Sequence, residues 1–285
     1  MGDDGTVSIG GFLRSRREAV KPTDVGLPTG PRRRTPGLRR SELATLAGIS
    51  VEYLTRIEQG RDRHPSSQVL GALADALRLP TDDRTLLIRL VKTTGGVGPC
   101  PEPVPPGQEV RATVRALLDR LEPSPAFVQN RVGDILAVTS GFEALARPLG
   151  LLDEDRPNLP AYVFLDPRAQ TAFPDWNVVA DDVAAALRLQ IRSTDEYLTM
   201  LVEELTVTAG SAFTSRLSGA LTMPRRNGVL RVVHPDAGEL RLSFEELELP
   251  DGQALVAYLP ADAAAEAALD RLAGRRPRTL RAVTG

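Results

Sequence analysis

Residues 42–60, Glu-Leu-Ala-Thr-Leu-Ala-Gly-Ile-Ser-Val-Glu-Tyr-Leu-Thr-Arg-Ile-Glu-Gln-Gly, decide the reading of the first third of this chain. Two short helical patterns meet at Gly48. Ala44 is small enough for a second helix to cross close to it. Gly48 lacks a Cβ and takes the left-handed conformation of a tight turn without steric cost. Ile49 is an apolar turn residue that can point inward, and Ser50 can cap the next helix through its hydroxyl. Leu54 and Ile57, three apart, share one face of that helix and can pack on Ala44 and Leu43. Outward lie Val51 at the leading edge and Glu52, Tyr53, Thr55 and Arg56. From a helix in the major groove such side chains reach base edges and phosphates. The same spacing also occurs in plain structural hairpins, so the surroundings must decide between the two.

Those surroundings are helical. Residues 10–20 read as a first helix. A loop rich in Pro, Gly and Arg follows over 21–37, with the run Arg32-Arg33-Arg34. Helix two is expected over about 38–47, without a clear capping residue, and helix three over about 51–59. Pro65-Ser66-Ser67 opens a fourth, with Val69, Leu70, Leu73, Ala74 and Leu77 at helical spacing. A fifth starts at Pro80 and runs to Val91. Residues 93–107 then hold five prolines and four glycines, the composition of a linker whose proline half is extended.

Beyond the linker the pattern mixes. Residues 108–121 read as an amphipathic helix. Strands are expected at 126–130, 135–139, 229–234, 239–247 and 253–259, and helices at about 140–147, 158–164, 176–191, 195–207, 211–217 and 261–273. The alternation of Leu240, Leu242 and Phe244 with Glu239, Arg241 and Ser243 marks a half-buried strand. Strands at both ends with helices between them argue an α+β domain with helices over one sheet face. The expected division is a disordered start over 1–9, an all-α helix-turn-helix domain over 10–92, the linker, an α+β domain over 108–273 and a basic tail over 274–285. Within that tail Arg275, Arg276, Arg278 and Arg281 read as a mobile end.

Composition bounds the function. Lys and Arg outnumber Asp and Glu over residues 1–92 and are outnumbered beyond, which suits a small nucleic-acid module joined to a domain of another purpose. No apolar run approaches the ~20 residues of a membrane span, and the polar start lacks a signal-peptide stretch. The cytoplasm is the expected compartment. A single cysteine, Cys100, excludes an intrachain disulfide framework. His64 and His234 stand far apart with no cysteine near either, so no metal and no cofactor is expected. An enzyme needs convergent polar groups. The pairs Asp181-Asp182, Glu203-Glu204 and Glu245-Glu246 are neighbours in sequence that face different ways, and read as solvated surface. No enzyme is expected.

Longer motifs add a resemblance. Phe12-Leu13-Arg14-Ser15-Arg16-Arg17, Gly37-Leu38-Arg39-Arg40-Ser41-Glu42-Leu43-Ala44 and Tyr53-Leu54-Thr55-Arg56-Ile57-Glu58-Gln59-Gly60-Arg61-Asp62 open the pattern. Val163-Phe164-Leu165-Asp166-Pro167-Arg168, Pro174-Asp175-Trp176 and His234-Pro235 with Gly238-Glu239-Leu240 complete it. In these the chain resembles the MmyB-like regulators of actinobacteria, whose front half is a helix-turn-helix of the xenobiotic-response-element type. The resemblance implies a PAS-like rear domain holding a small apolar, fatty-acid-like ligand, and a homodimeric transcription regulator on a palindromic site in double-stranded DNA. The sequence departs from the family at Gly133, Val138 and Leu217, where tryptophans are usual, and at Thr139, where Asn is usual.

For the DNA contact, Arg39 and Arg40 begin helix two, where the helix dipole also favours a phosphate; a solvated basic end is the plain alternative. Glu52 can accept from a cytosine amino group, and Arg56 can bond guanine or phosphate. Val51 can touch a thymine methyl. Tyr53 and Thr55 can meet phosphate or simply bond locally, and Arg61 and Arg63 can meet the backbone. Arg32, Arg33 and Arg34 can enter a narrow minor groove or remain a solvated loop. Glu58 is expected to fix the fold by pairing with a nearby Arg.

For the rear domain, Phe127, Leu136, Val138, Phe142, Phe164, Phe173, Trp176, Leu201, Leu205, Leu242, Phe244, Val256 and Tyr258 fall on inward faces. They are expected to enclose an apolar pocket, with His234 and Tyr258 as polar candidates for a head group. Asp166 before Pro167 reads as a helix cap. The alternative for this domain is a filled scaffold for a protein partner such as RNA polymerase, with no small molecule sensed.

Overall fold

The computed structural model describes residues 8–28, 35–62, 64–94, 107–190, 196–219, 222–250 and 252–274. The chain divides into two compact units, one of Met1–Glu102 with Thr199–Ser215, the other of Pro103–Leu198 with Arg216–Gly285.

The first unit is helical: α1 (Ile9–Ala19), α2 (Arg40–Ala47), α3 (Val51–Glu58), α4 (Ser67–Ala76) and α5 (Thr81–Thr94). Serine hydroxyls cap three of these starts. Ser8 accepts from the Gly11 N–H, Ser50 from Tyr53 and Ser66 from Val69. Helix α2 is capped from inside. Its Glu42 carboxylate accepts the Arg39 N–H at 2.7 Å, half of a capping box that moves the helix start from the expected 38 to Arg40. The turn between α2 and α3 hangs on Gly48, whose φ of 66° is left-handed. Leu13, Leu38, Leu43, Ala44, Leu54 and Ile57 close the core over that turn.

Beneath this core runs an ion pair that ties three helices. Arg17 of α1 donates to the Glu58 carboxylate of α3 through Nε at 2.6 Å and to the Leu38 carbonyl through Nη1 at 2.8 Å. Arg40 of α2 donates to the other Glu58 oxygen through Nε at 2.7 Å. The Glu58 side chain is 1% exposed and that of Arg17 6%, against 41% for Arg40. The expectation for Glu58 holds, with two arginines in place of one.

The second unit is α+β, as expected. It follows the order α6 (Ala112–Arg120), β1 (Ala126–Asn130), β2 (Ile135–Val138), α7 (Ser140–Ala146), α8 (Leu159–Leu165), α9 (Arg168–Ala172) and α10 (Trp176–Gln190). After α11 (Glu196–Thr208) and α12 (Ser211–Ser218), most of whose residues belong to the first unit, it continues with β3 (Asn227–His234), β4 (Gly238–Glu248), β5 (Gln253–Pro260) and α13 (Ala263–Leu272). The five strands form one antiparallel sheet in the order β2-β1-β5-β4-β3. Phe127 sits opposite Val256, Glu246 opposite Val256, and Phe244 opposite Tyr258. Helices cover both faces of this sheet rather than one. Phe127, Leu240, Leu242 and Val256 join the core beside α7–α10 and α13. Ala126, Val128 and Leu255, on the alternate side, pack under Val110, Val114 and Leu118. Because Ala126, Phe127 and Val128 are buried in succession on alternating sides of β1, one helical layer could not cover it. Asp166, expected as a helix N-cap, instead closes α8 and accepts the Arg168 N–H at 2.8 Å, while Pro167 holds the N-cap position of α9, a short helix that the sequence pattern leaves unmarked.

Residues 199–215, which sequence order places with the rear domain, group by packing with the helical bundle. Val207 joins the bundle core. Arg84 of α5 donates to the Val207 carbonyl at 3.0 Å, to Asp75 at 2.6 Å and to the Leu79 carbonyl at 2.9 Å. On α4, Gly71 faces Thr206, whose carbonyl would lie 2.9 Å from any added Cβ.

Removing one partner of a buried ion pair leaves its mate uncompensated, at about 3 kcal/mol or more. Glu58→Gln therefore lowers the urea midpoint of the helical unit by an amount worth about 3 kcal/mol, followed by circular dichroism of the full chain. An unchanged midpoint would mean that the two arginines do not need the carboxylate.

Candidate nucleic-acid interface and ligand cavity

The outer face of α3 is open. Val51 is 38% exposed, Glu52 and Arg56 are exposed, and Tyr53 and Thr55 are half-buried. Each side chain is held differently. The Ser50 hydroxyl is committed to capping. The Thr55 hydroxyl donates to the Val51 carbonyl at 2.7 Å, the local bond weighed against a phosphate contact. The Arg56 guanidinium stands 5.3 Å from the centre of the Tyr53 ring, a spacing at which the ring face attracts the cation. Burial pushes the Tyr53 phenol above its ordinary pKa, so it stays a neutral hydrogen-bonding group near neutrality. Around the helix, Arg39 and Arg61 are exposed, and Arg40 is turned inward by its Nε bond to Glu58. The structure thus gathers Val51, Glu52, Thr55 and Arg56 on one surface, with arginines on its border. Arg32, Arg33, Arg34 and Arg63 lie outside the described residues.

The second unit contains a cavity of about 420 Å³, within the range of small-molecule sites. Its floor is the inner sheet face: Phe127 and Gln129 of β1, Phe244 and Glu246 of β4, Val256 and Tyr258 of β5. Helix α10 contributes Val179, Val183 and Leu187. Two ion pairs border it. Arg225 meets Asp182 at 2.7 Å, and Arg226 meets Glu248. Behind the floor the Phe127 and Phe142 rings lie 4.5 Å apart, and each is 6.2 Å from Tyr258. Burial pushes the Tyr258 phenol far up, and the nearby Glu246 charge adds to this. Burial also pushes up the Glu246 carboxyl, against the pull of Arg226.

A family model described as the MmyB-like transcription regulator ligand binding domain matches residues 110–272, and one for a helix-turn-helix domain matches residues 8–87. The chain belongs to the MmyB-like regulator family. It is a transcription regulator with a helix-turn-helix DNA-binding domain and a ligand-binding domain. No curated protein matches it. The MmyB-like match spans the whole cavity lining, and the helix-turn-helix match spans α1 to α4, including the open α3 face.

Of the residues expected around a ligand in this MmyB-like domain, the cavity brings together Phe127, Phe244, Val256 and Tyr258. Phe142, Val138, Phe164, Phe173, Trp176 and Leu242 belong to the core cluster but not to the lining. Trp176 is spent on the Val163 carbonyl, to which its Nε1 donates at 2.9 Å, and Phe173 packs edge-on against Tyr162. Leu136 faces the α6 side. Leu201 and Leu205 group with the helical unit. His234, 1% exposed, is a turn residue: its Nδ1 accepts the Asp236 and Ala237 N–H groups at 3.1 and 3.2 Å, and it is not part of the lining. That turn closes β3 on β4 and leaves the imidazole no face for a head group.

The sequence pattern does not mark the polar residues of the lining. Gln129, Asp182, Arg225, Arg226 and Glu246 all border the cavity, although the Asp181-Asp182 and Glu245-Glu246 pairs read as solvated surface. The signal was present: Glu246 continues the alternation of Leu240, Leu242 and Phe244 and so must share their face. Among the described residues no group of three or more His, Cys, Asp or Glu is placed to hold a metal, and no helix is long and apolar enough to cross a membrane.

A side chain grown into the cavity tests its reach. Ala254 lines it between Gln129 and Glu248. The uncharged fluorophore N-phenyl-1-naphthylamine is expected to brighten with the natural chain and to lose most of that signal with Ala254→Phe. Undiminished uptake by the variant would place the apolar site elsewhere.

Proposed function

We propose that this chain is a cytoplasmic, sequence-specific regulator that binds a palindromic operator as a homodimer and responds to a small apolar ligand in its second unit. The observation that carries the DNA half is the uncovered outer face of α3, presented by a helix whose inner face and C-terminal carboxylate are fully buried. In this reading α3 enters the major groove. Glu52 and Arg56 meet base edges, Val51 meets a thymine methyl, and Arg39, Arg40 and Arg61 meet phosphates. With two-fold symmetry the half-sites lie about one helical turn, ~34 Å, apart. The arginine run at 32–34 serves as an arm toward the minor groove.

The ligand half rests on the cavity and its apolar wall, and on the likeness to regulators with fatty-acid-like ligands. A ligand can act only through different affinities for two states of the protein. The chain offers a covalent route for that difference. Helix α10 lines the cavity, and the next described helix along the chain is α11, whose residues from Thr199 onward pack with the helix-turn-helix bundle. Occupancy that shifts α10 biases the docking of this segment on Gly71 and Arg84.

Selection of duplexes from a random pool by the full chain tests the reading, and an inverted repeat is expected. On the selected site Arg39→Ala should weaken binding to all sequences alike and reduce the slope of log affinity against log salt by about 1. No enrichment of any sequence, at low or moderate salt, would overturn the proposal.

A further inference from the structure

The charges that border the cavity are not equally satisfied. Asp182 takes both the Arg225 guanidinium, at 2.7 Å, and the Arg225 backbone N–H, at 3.0 Å. Glu248 takes Arg226. Glu246 lies between them on the cavity face of β4, and among the described residues no cation lies within ion-pair distance of it. Its polar contact is the Gln129 amide, whose Nε2 donates at 3.5 Å, the far limit of a hydrogen bond. Arg226 is close enough for its charge to be felt, but its hydrogen bond goes to Glu248. A carboxylate is acceptor-only and offers about four lone-pair positions. Glu246 lines a cavity whose wall carries Arg131, Arg225 and Arg226 as well as rings and hydrocarbon, and Arg225 and Arg226 are each bonded to another carboxylate.

The neighbours of Glu246 are aromatic. Phe244 is two residues before it on the same strand face, Tyr258 stands opposite Phe244, and Phe127 lies across Val256 in the next strand. The Tyr258 hydroxyl has no hydrogen-bond partner among the described residues. Phe244 already shows what its ring attracts, with the Arg225 guanidinium carbon 5.9 Å from its centre. A carboxylate bordered by ring faces recognises an organic ammonium group through charge, hydrogen bonds and cation–π attraction together. It repels a second carboxylate, since two such groups in one dry site cannot both stay ionised cheaply.

We infer that the cavity takes an amphipathic amine, its ammonium group seated on Glu246 beside Phe244 and Tyr258 and its hydrocarbon body along Val179, Val183 and Leu187. This rests on the proposed ligand role of the cavity and narrows it, replacing the acidic head of a fatty-acid-like guest by a cationic one. Burial pushes the Glu246 carboxyl up against the pull of Arg226, and a seated cation would add to that pull.

Titration calorimetry of the full chain with octylamine, octanoate and octanol, each below its aggregation range, separates the cases because the three share one hydrocarbon. A charge-assisted hydrogen bond in a partly dry site is worth about ten-fold in affinity or more. Octylamine should therefore bind at least about ten-fold tighter than octanoate. Glu246→Gln should cost octylamine about ten-fold and leave octanol within about two-fold, while Glu246→Asp keeps part of the preference. Octanoate equal to or tighter than octylamine would overturn the amine while leaving an apolar ligand site intact. Equal losses of octylamine and octanol in Glu246→Gln would do the same, by showing damage to the cavity rather than loss of a counter-ion. Failure of all three to bind would overturn both the amine and the ligand site itself.

Discussion

The helical unit depends on the pairing of Glu58 with Arg17 and Arg40. Glu58 ends the helix whose outer face stands open, Arg17 belongs to the helix beneath it, and Arg40 begins the helix before the turn. Apolar packing of Leu54 and Ile57 holds α3 against the bundle but is not directional. The forked donors of Arg17, shared between Glu58 and the Leu38 carbonyl, fix where along α1 that packing stops. A groove-reading helix must hold its side chains within a fraction of a hydrogen-bond length of the bases. A buried and directional bond supplies that precision where a greasy contact would let the helix slide. Arg40 then serves two ends. Its Nε is spent inward, while the half-exposed remainder of its guanidinium stands at the start of α2, where phosphate is favoured.

The sequence made the front of the molecule legible because its elements are punctuated locally. Ser50 and Ser66 each announce a helix, Gly48 announces the turn, and the spacing of Leu54 and Ile57 announces the buried side, whereas Ser8, which caps α1, lies in the stretch expected to be disordered. The strands were legible for a similar reason, since alternation along β4 and the apolar run of β5 are properties of a few adjacent residues. What the sequence did not yield was set by distant partners. His234 looked like a free imidazole in an apolar neighbourhood, yet it is consumed by two backbone N–H groups of its own turn. Leu201 and Leu205 looked like rear-domain core, yet their helix passes into the bundle, where a glycine on α4 makes room for it.

The cavity shows the same division. Its aromatic floor could be read, since Phe127, Phe244, Val256 and Tyr258 are inward by simple alternation. Most other residues expected around a ligand fill the core instead, because a face that points inward does not say whether it meets a neighbour or a space. The polar border is hidden in the sequence because adjacent acids resemble one solvated pair. Strand alternation sends Glu245 outward and Glu246 inward, and only the second can speak to a ligand. Gly133, where the resemblance leads one to expect a tryptophan, itself lines the cavity.

The central claim is that the outward side chains of α3 enter duplex DNA while its inward ones only hold it in place. Photo-cross-linking tests this most directly. The photoreactive residue p-benzoylphenylalanine replaces Val51, Glu52 or Thr55 in turn, with Glu266 on the exposed surface of α13 as the control. The account predicts covalent protein–DNA adducts from the three α3 positions and none from Glu266 on the selected operator. Adducts from Glu266, or none from α3 while the operator remains bound, would contradict it.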